Sequence, residues 1–312
     1  MAGKRLFFLS SFIVLPALYA LFYVARFVSR GLPGEQSLKL EGLLLLATLI
    51  VLERIYTYRF AVSQRALLPR DILATIVNKY LTGLVTAALL LPILLYLTTH
   101  IFGRKLIIAS PDTLGPLWFQ ILTIAVVVSF GRYWIHRLQH SNAFLWELHS
   151  YHHRVSDLQA LNTDVSNPID FALRNVVIFL VLGVIGFDPL AILITLPATG
   201  ISASVSHWGA DVKGGFLNYI FVTPEVHRWH HTANVPEHHR YSVNYGVEFS
   251  FWDILFGTFH LPQENGAVVP PARIGHPGGL PDEPNYLKLL LMPIGLYRPL
   301  PLFKRVPRIP AE

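Results

Sequence analysis

The chain has 312 residues, of which 53% are hydrophobic and only 14% charged, with a formal net charge of +6 and no cysteine. That balance is far from the one a soluble globular domain carries and suits a polypeptide that lives largely in a bilayer. Lack of cysteine excludes disulfides, iron–sulfur clusters and a thiol nucleophile, and the positive charge lacks the basic helix with interleaved aromatics that nucleic-acid binding needs.

Taken in chain order, four apolar stretches approach the roughly 20 residues that span a bilayer: residues 6–28, 38–56, 81–102 and 114–134. The first follows Lys4 and Arg5, as a signal peptide would, but its apolar run is longer than the roughly 7 to 15 residues of a signal core and predicts a retained helix. A fifth region, 171–205, is too long for one crossing. It is interrupted at Asp188-Pro189 and again at Pro197, which predicts a helical hairpin that enters and returns. Basic residues set the orientation. With a cytoplasmic N-terminus, the inside segments hold Lys4, Arg5, Arg54, Arg59, Arg65, Arg70, Lys79, Arg132, Arg137 and Arg154, more than the outside loops hold. Lys304, Arg305 and Arg308 in the tail would likewise meet anionic headgroups.

Nine of the histidines beyond the fourth stretch fall in three boxes and one outlier: His136 and His140 as HRLQH, His149, His152 and His153 as HSYHH, then His207, then His227, His230 and His231 as HRWHH. Positions i, i+3 and i+4 of a helix share a face, so each box is expected to present its imidazoles toward one point. Any one of them alone reads more readily as a structural histidine, and His207 has no helical partner. Three boxes together have no stability rationale unless something pairs their nitrogens. Imidazole suits iron, zinc, copper or nickel over magnesium or calcium, and eight or nine ligands exceed what one ion holds, so two metal ions are expected.

After Pro262, proline and glycine accumulate through Pro270-Pro271, His276-Pro277-Gly278-Gly279 and the 281–284 stretch, which marks the end of the compact region. The expected organisation is N-terminal transmembrane helices over 1–110, a catalytic domain over 111–262 and a turn-rich tail over 263–312. The fold class is all-α: a polytopic membrane helical bundle of four transmembrane helices plus the hairpin, with a cytoplasmic histidine-rich helical cap.

The chemistry narrows by elimination. There is no HExxH zinc-hydrolase motif, no Glu-x-x-His pair of a soluble di-iron carboxylate bundle and no GxSxG elbow. A redox site built on imidazole remains, and its electrons must come from elsewhere. The rival is a non-redox membrane protein that binds or transports a divalent metal such as zinc. Transporters place their ligands within the spans, whereas these histidines lie mainly outside the apolar runs.

HRLQH, HSYHH and HRWHH, with the run NYGVEFSFWDILFGTF at 244–259, resemble the fatty acid hydroxylase/sterol desaturase superfamily of integral-membrane non-haem di-iron enzymes. The resemblance covers roughly 130–262. It implies two Fe ions held by His136, His140, His149, His152, His153, His227, His230 and His231, with His207 as an additional ligand. It also implies O2-dependent hydroxylation or desaturation of a lipid such as a sterol, fatty acyl chain or alkylglycerol, with electrons from a separate reductase. One departure is Asn167-Pro168-Ile169-Asp170, where many bacterial relatives read His-Pro-x-Glu. Asn162, Asp164, Glu225 and Asp253 are candidates for fixing the imidazoles through the nitrogen that faces away from metal. Trp134, Trp146, Trp208, Trp229 and Trp252 are expected at the membrane interface or the substrate entrance. His238 and His239, beyond Pro236, are expected at the surface or behind the ligands.

Overall fold

The structure, a computed structural model, describes residues 47–48, 50–53, 67–100, 110–239 and 241–291. The expected first span, and about two thirds of the second, lie outside these residues. Helix α1 (Leu68–Thr75) runs through a π-helical stretch, Ile76–Thr82, into α2 (Gly83–His100). Then come α3 (Leu117–Ser141), α4 (Ala143–His149), α5 (Pro168–Ile185), α6 (Pro189–Ser206), α7 (Pro224–His230) and α8 (Phe251–Leu255). The described part ends with a two-strand hairpin, β1 (Gln263–Glu264) and β2 (Ala267–Val268), and α9 (Tyr286–Leu291). The architecture is therefore mostly helical with little sheet. The hairpin is dictated locally: Asn265-Gly266 takes positive φ at both positions, as a two-residue turn between right-twisted strands demands.

Among the described residues, α3 and α6 are long and apolar enough to cross a membrane. α3 runs seven residues past the expected end at Trp134, so the first histidine box rides on the last two turns of the long helix rather than beyond it. The fifth region folds as expected up to a point. α5 starts at an Asn167 cap whose side chain accepts from Ile169 N at 2.9 Å, and it ends at Gly186 in the left-handed conformation. α6 restarts from Asp188, whose carboxylate accepts from Leu190 N at 2.8 Å, with Pro189 at the first helical position. Contrary to expectation, Pro197 does not interrupt α6. A proline removes one helical hydrogen bond, and a helix flanked by packed neighbours tolerates that loss. α2 likewise passes through Pro92.

The hairpin tip is tied to the start of α3. Gln120 accepts from Asp188 N at 2.8 Å and donates to the carbonyls of Pro111 and Gly115 at 3.0 and 2.9 Å. Ile124 and Val128 of α3 pack against Ile178, Phe187 and Ala191, so α3, α5 and α6 share one apolar core. With the turn at one end, the start of α5 and the end of α6 both lie at the histidine end of α3. A second core joins Ala74 of α1 to Tyr151, Val155, Leu158, Val165 and Tyr286. Packing thus continues past Pro262, where the compact region was expected to end. Buried Arg70 bonds to Asp71 and Asp282, and Asp282 accepts from Ser156 N and Oγ at 3.0 and 3.1 Å.

Candidate metal centre

His136 and His140 sit at the end of the long helix α3 and His207 at the end of α6, while the second and third boxes are delivered by short elements. Asn142 caps α4 by accepting from Phe144 N and Leu145 N at 3.0 and 3.1 Å, and α4 ends on His149. His152 and His153 follow on a separate 3-10 turn, so HSYHH does not form one continuous helix as expected. Thr223 and Pro224 start α7, which carries His227 and His230, and His231 sits at its C-cap. His207 is the C-cap of α6.

All nine side chains are buried, and they assemble into two groups. His136, His140, His149, His153 and His230 form one, while His152, His207, His227 and His231 form the other; within each, the ligand atoms lie within 4.8 Å of one another. The groups adjoin, since the rings of His153 and His231 stack at 4.3 Å. Here the expectation that each box converges on one point fails. The second and third boxes each divide between the groups, because consecutive residues of a tight turn project in different directions. Thus His152 parts from His153, and His231 from His230.

Hydrogen bonds fix the tautomers. The Nδ1 of His136 donates to Tyr245 O at 2.8 Å, that of His152 to Val165 O at 3.2 Å and that of His230 to Val243 O at 2.8 Å. His207 Nδ1 donates to Asn162 Oδ1 at 3.1 Å, and His149 Nδ1 donates to the Asp170 carboxylate at 3.3 Å. A carbonyl or carboxylate only accepts, so these five neutral rings carry their proton on Nδ1 and turn a bare Nε2 inward. His136 Nε2 and His149 Nε2 lie 3.2 Å apart, lone pair against lone pair. The Nε2 atoms of His140, His153 and His230, and both nitrogens of His227 and His231, are buried without a hydrogen-bond partner. Each such atom costs on the order of 1–3 kcal/mol unless something binds it. A cation between the rings removes the repulsion and satisfies the orphans together, so the residues present fit a pair of metal ions.

Burial, with neighbouring imidazoles adding to it, holds His149, His153, His207, His227 and His231 well below the ordinary imidazole range. Burial lowers His152 as well, with Arg174 contributing, and takes His230 to about 4. At neutral pH these rings are neutral, the state a metal ligand requires.

Behind the imidazoles lies a layer the sequence only partly disclosed. Of the four polar candidates, Asn162 alone touches a histidine. Asp253 acts at one remove, accepting from Tyr245 N, Gly246 N and Thr258 Oγ1 at 2.7, 2.8 and 2.7 Å; this holds the loop segment whose Tyr245 carbonyl orients His136. Burial pushes its carboxyl up to about 6 against those three bonds. Asp164 faces Lys79 at 3.8 Å, and Glu225 anchors a loop through Gly214 N and Asn218 Nδ2, so neither reaches a ring. Asp170 is the residue that sequence reasoning missed. The pointer was an Asp170–Arg174 pair one turn apart at the start of an apolar helix, where ionisable residues mark function. Asn78 was also missed: its amide donates to Asp164 O and Ser166 O at 2.7 and 2.9 Å and so holds the loop whose Val165 carbonyl orients His152. Trp146 closes one side against His140 and His153, with ring centroids 5.0 and 5.4 Å away. Trp208 is buried rather than interfacial. His238 is exposed, and His239 lies against His260 at 5.8 Å, away from the groups.

The fold and site define a class: a mostly helical protein, with helices long enough for a bilayer, that encloses two adjoining all-imidazole clusters. Residues 121–258 match the fatty acid hydroxylase family, and the curated relatives of this stretch are lipid hydroxylases, monooxygenases and sterol desaturases. It is 36% identical over 148 residues to the ornithine lipid hydroxylase OlsE of Rhizobium tropici, covering 47% of this chain and 44% of that protein. Alkylglycerol monooxygenase of Homo sapiens is 31% identical over 151 residues, 46% of this chain and 30% of that protein. The Delta(7)-sterol 5(6)-desaturase ERG3B of Gibberella zeae is 24% identical over 201 residues, 62% and 60% respectively. The chain therefore spans less than two thirds of the length of each of these relatives. No solved structure matches it significantly.

Proposed function

We propose that the protein is a membrane-bound lipid hydroxylase that uses O2, with one iron held by His136, His140, His149, His153 and His230 and a second by His152, His207, His227 and His231. The observation that carries this reading is the convergence of bare, buried Nε2 atoms, above all the pair on His136 and His149 at 3.2 Å. Nitrogen-only donors favour a redox transition metal over calcium or magnesium. Two irons there would supply O2 activation and oxidation of an unactivated C–H bond.

The chain's own residues do the rest. Five Nδ1–H bonds keep the rings in one tautomer and one orientation, so the ligand set is in place before metal arrives. Burial of all nine rings excludes bulk water, which protects a reactive centre from side reactions. The substrate class is a membrane lipid with an alkyl chain, a reading supported by the names of the relatives: an ornithine lipid hydroxylase, an alkylglycerol monooxygenase and a sterol desaturase. Hydroxylation is preferred over desaturation because, of these three, the two more identical relatives are a hydroxylase and a monooxygenase. With no cysteine to bind an iron–sulfur cluster, electrons come from a separate donor protein. Arg132, Arg137 and Arg154 flank the histidine end of α3, which supports a cytoplasmic location for that end.

The test is iron analysis joined to isotope labelling on full-length protein in its native membrane. About two irons per chain are expected, with one oxygen atom from labelled O2 incorporated into a membrane lipid. Zinc in place of iron, with no O2-dependent lipid product after anaerobic ferrous reconstitution, would sink the proposal.

A further inference from the structure

Besides the exposed apolar side chains along α1, α2 and α3, the described surface gathers large apolar side chains in two short segments that adjoin each other. One is the turn-rich stretch 215–221, where Phe216 is 72% exposed and Tyr219, Ile220 and Phe221 are exposed beside it. The other is α8, with Leu255 at 66% and Ile254 next to it. The two are joined: Phe221 and Phe249 pair across an antiparallel bridge with their rings 5.8 Å apart. Ser250 donates its N–H to Ile220 O at 3.0 Å and its hydroxyl to Phe221 O at 2.8 Å. Single exposed apolar residues are ordinary, but a contiguous patch of this kind marks an interaction face.

What covers the patch follows from its neighbour. Trp252 of α8 packs on Phe130 of α3 at 5.1 Å, and Phe256 just beyond it packs on Trp134 at 5.0 Å. The Trp252 indole donates to Ser129 Oγ at 3.0 Å. Phe130 and Trp134 belong to an exposed stripe that repeats every fourth residue along α3 with Trp118, Leu122, Val126 and Leu138. The patch therefore extends the apolar side of a helix that can cross the bilayer. Its height is also set: at 1.5 Å per residue, Phe130 and Trp134 lie about 20 and 26 Å along α3 from Leu117. That is near the far edge of a hydrocarbon layer of about 30 Å, the depth at which tryptophan settles.

We propose that the face formed by residues 216–221 and α8 is seated in the acyl–headgroup boundary of the membrane, so that the histidine-bearing domain rests on the lipid surface along this side instead of standing clear of it. The partner is a lipid bilayer. The inference stands on exposure and on the α3 contact, whichever metal the histidines hold.

Because the natural chain has no cysteine, Phe216→Cys and Leu255→Cys each supply a single labelling site at an exposed position. Full-length variants would be labelled with a bimane fluorophore and reconstituted in phosphatidylcholine–phosphatidylglycerol vesicles. Emission would then be quenched by acyl-brominated lipid in one series and by aqueous iodide in another. Brominated lipid is expected to quench both positions more strongly than iodide, by about threefold or more, as an interfacial depth requires. Stronger quenching by iodide would overturn the proposal by showing the patch in water. Protection from both quenchers would overturn it equally, by showing the patch covered by protein.

Discussion

Asp170 enters from the first turn of α5 and meets three partners: His149 Nδ1 at 3.3 Å, Arg174 Nη2 at 3.2 Å and the Gln139 amide. Arg174 and Gln139 hold the carboxylate, and the carboxylate holds the imidazole. Removing such an outer partner of a ligand costs about 10–100-fold in metal affinity. We predict that Asp170→Ala lowers affinity at the His136 group by that factor while the His152 group keeps its metal, and that Asp170→Glu recovers part of the loss. Competition with a coloured chelator measures both, and equal retention by Asp170→Ala and the parent would show that Asp170 does not position His149. Asp253 supports the opposite wall. Asp253→Ala strands two backbone N–H groups and leaves the Thr258 hydroxyl only its bond to Tyr133, and is expected to cost on the order of 2–5 kcal/mol in thermal unfolding. The sequence could disclose all nine histidines because ligand chemistry demands that residue type at close spacing. It could not disclose the carbonyls of Val165, Val243 and Tyr245, because every residue has a carbonyl and only the fold selects which ones meet a ring.

At the scale of elements, apolar length located α2, α3 and the two arms of the 171–205 region, and turn residues located where those arms meet. The 171–205 region resolved as a hairpin because Gly186 and Asp188-Pro189 act on the backbone itself, one by adopting φ +79° and the other by capping and starting a helix. Pro197 misled because a proline's local cost says nothing of the packing around it. The length of α3 was underestimated for a related reason: Arg132, His136, Arg137 and His140 end an apolar run but do not end a helix. We predict that Gly186→Ala destabilises the hairpin by about 1 kcal/mol, since a left-handed position penalises a Cβ, and that Asp188→Ala costs about as much through the lost cap. Differential scanning fluorimetry in detergent reads both. A Gly186→Ala variant as stable as the parent would mean that the turn relaxes to another geometry.

For the whole molecule, the histidines tie distant elements into one unit. The first group joins α3, α4, the 3-10 turn at His152–Arg154 and α7, and the second joins that turn, the end of α6 and α7. With the proposed metal ions bound, much of the folded state's coherence at this end would depend on them. A ligand that binds only the folded state stabilises it by about 2.7 kcal/mol at 100 times its dissociation constant, and the orphaned imidazole nitrogens add a penalty once the ions leave. Chelation should then lower the melting temperature and open 150–166 to protease, with metal restoring both. The division into five and four makes a sharper test. His207→Ala removes a ligand from the second group only, and His149→Ala removes one from the first only. Each variant is expected to retain about one metal ion of two, and the ions retained should differ in spectroscopic signature because one sits among up to five nitrogens and the other among four. Adjacent residues should behave differently for the same reason: His152→Ala should resemble His207→Ala, and His153→Ala should resemble His149→Ala. If all four variants lost both ions together, the nine imidazoles would constitute one cooperative centre, and the partition read from ring geometry would be wrong.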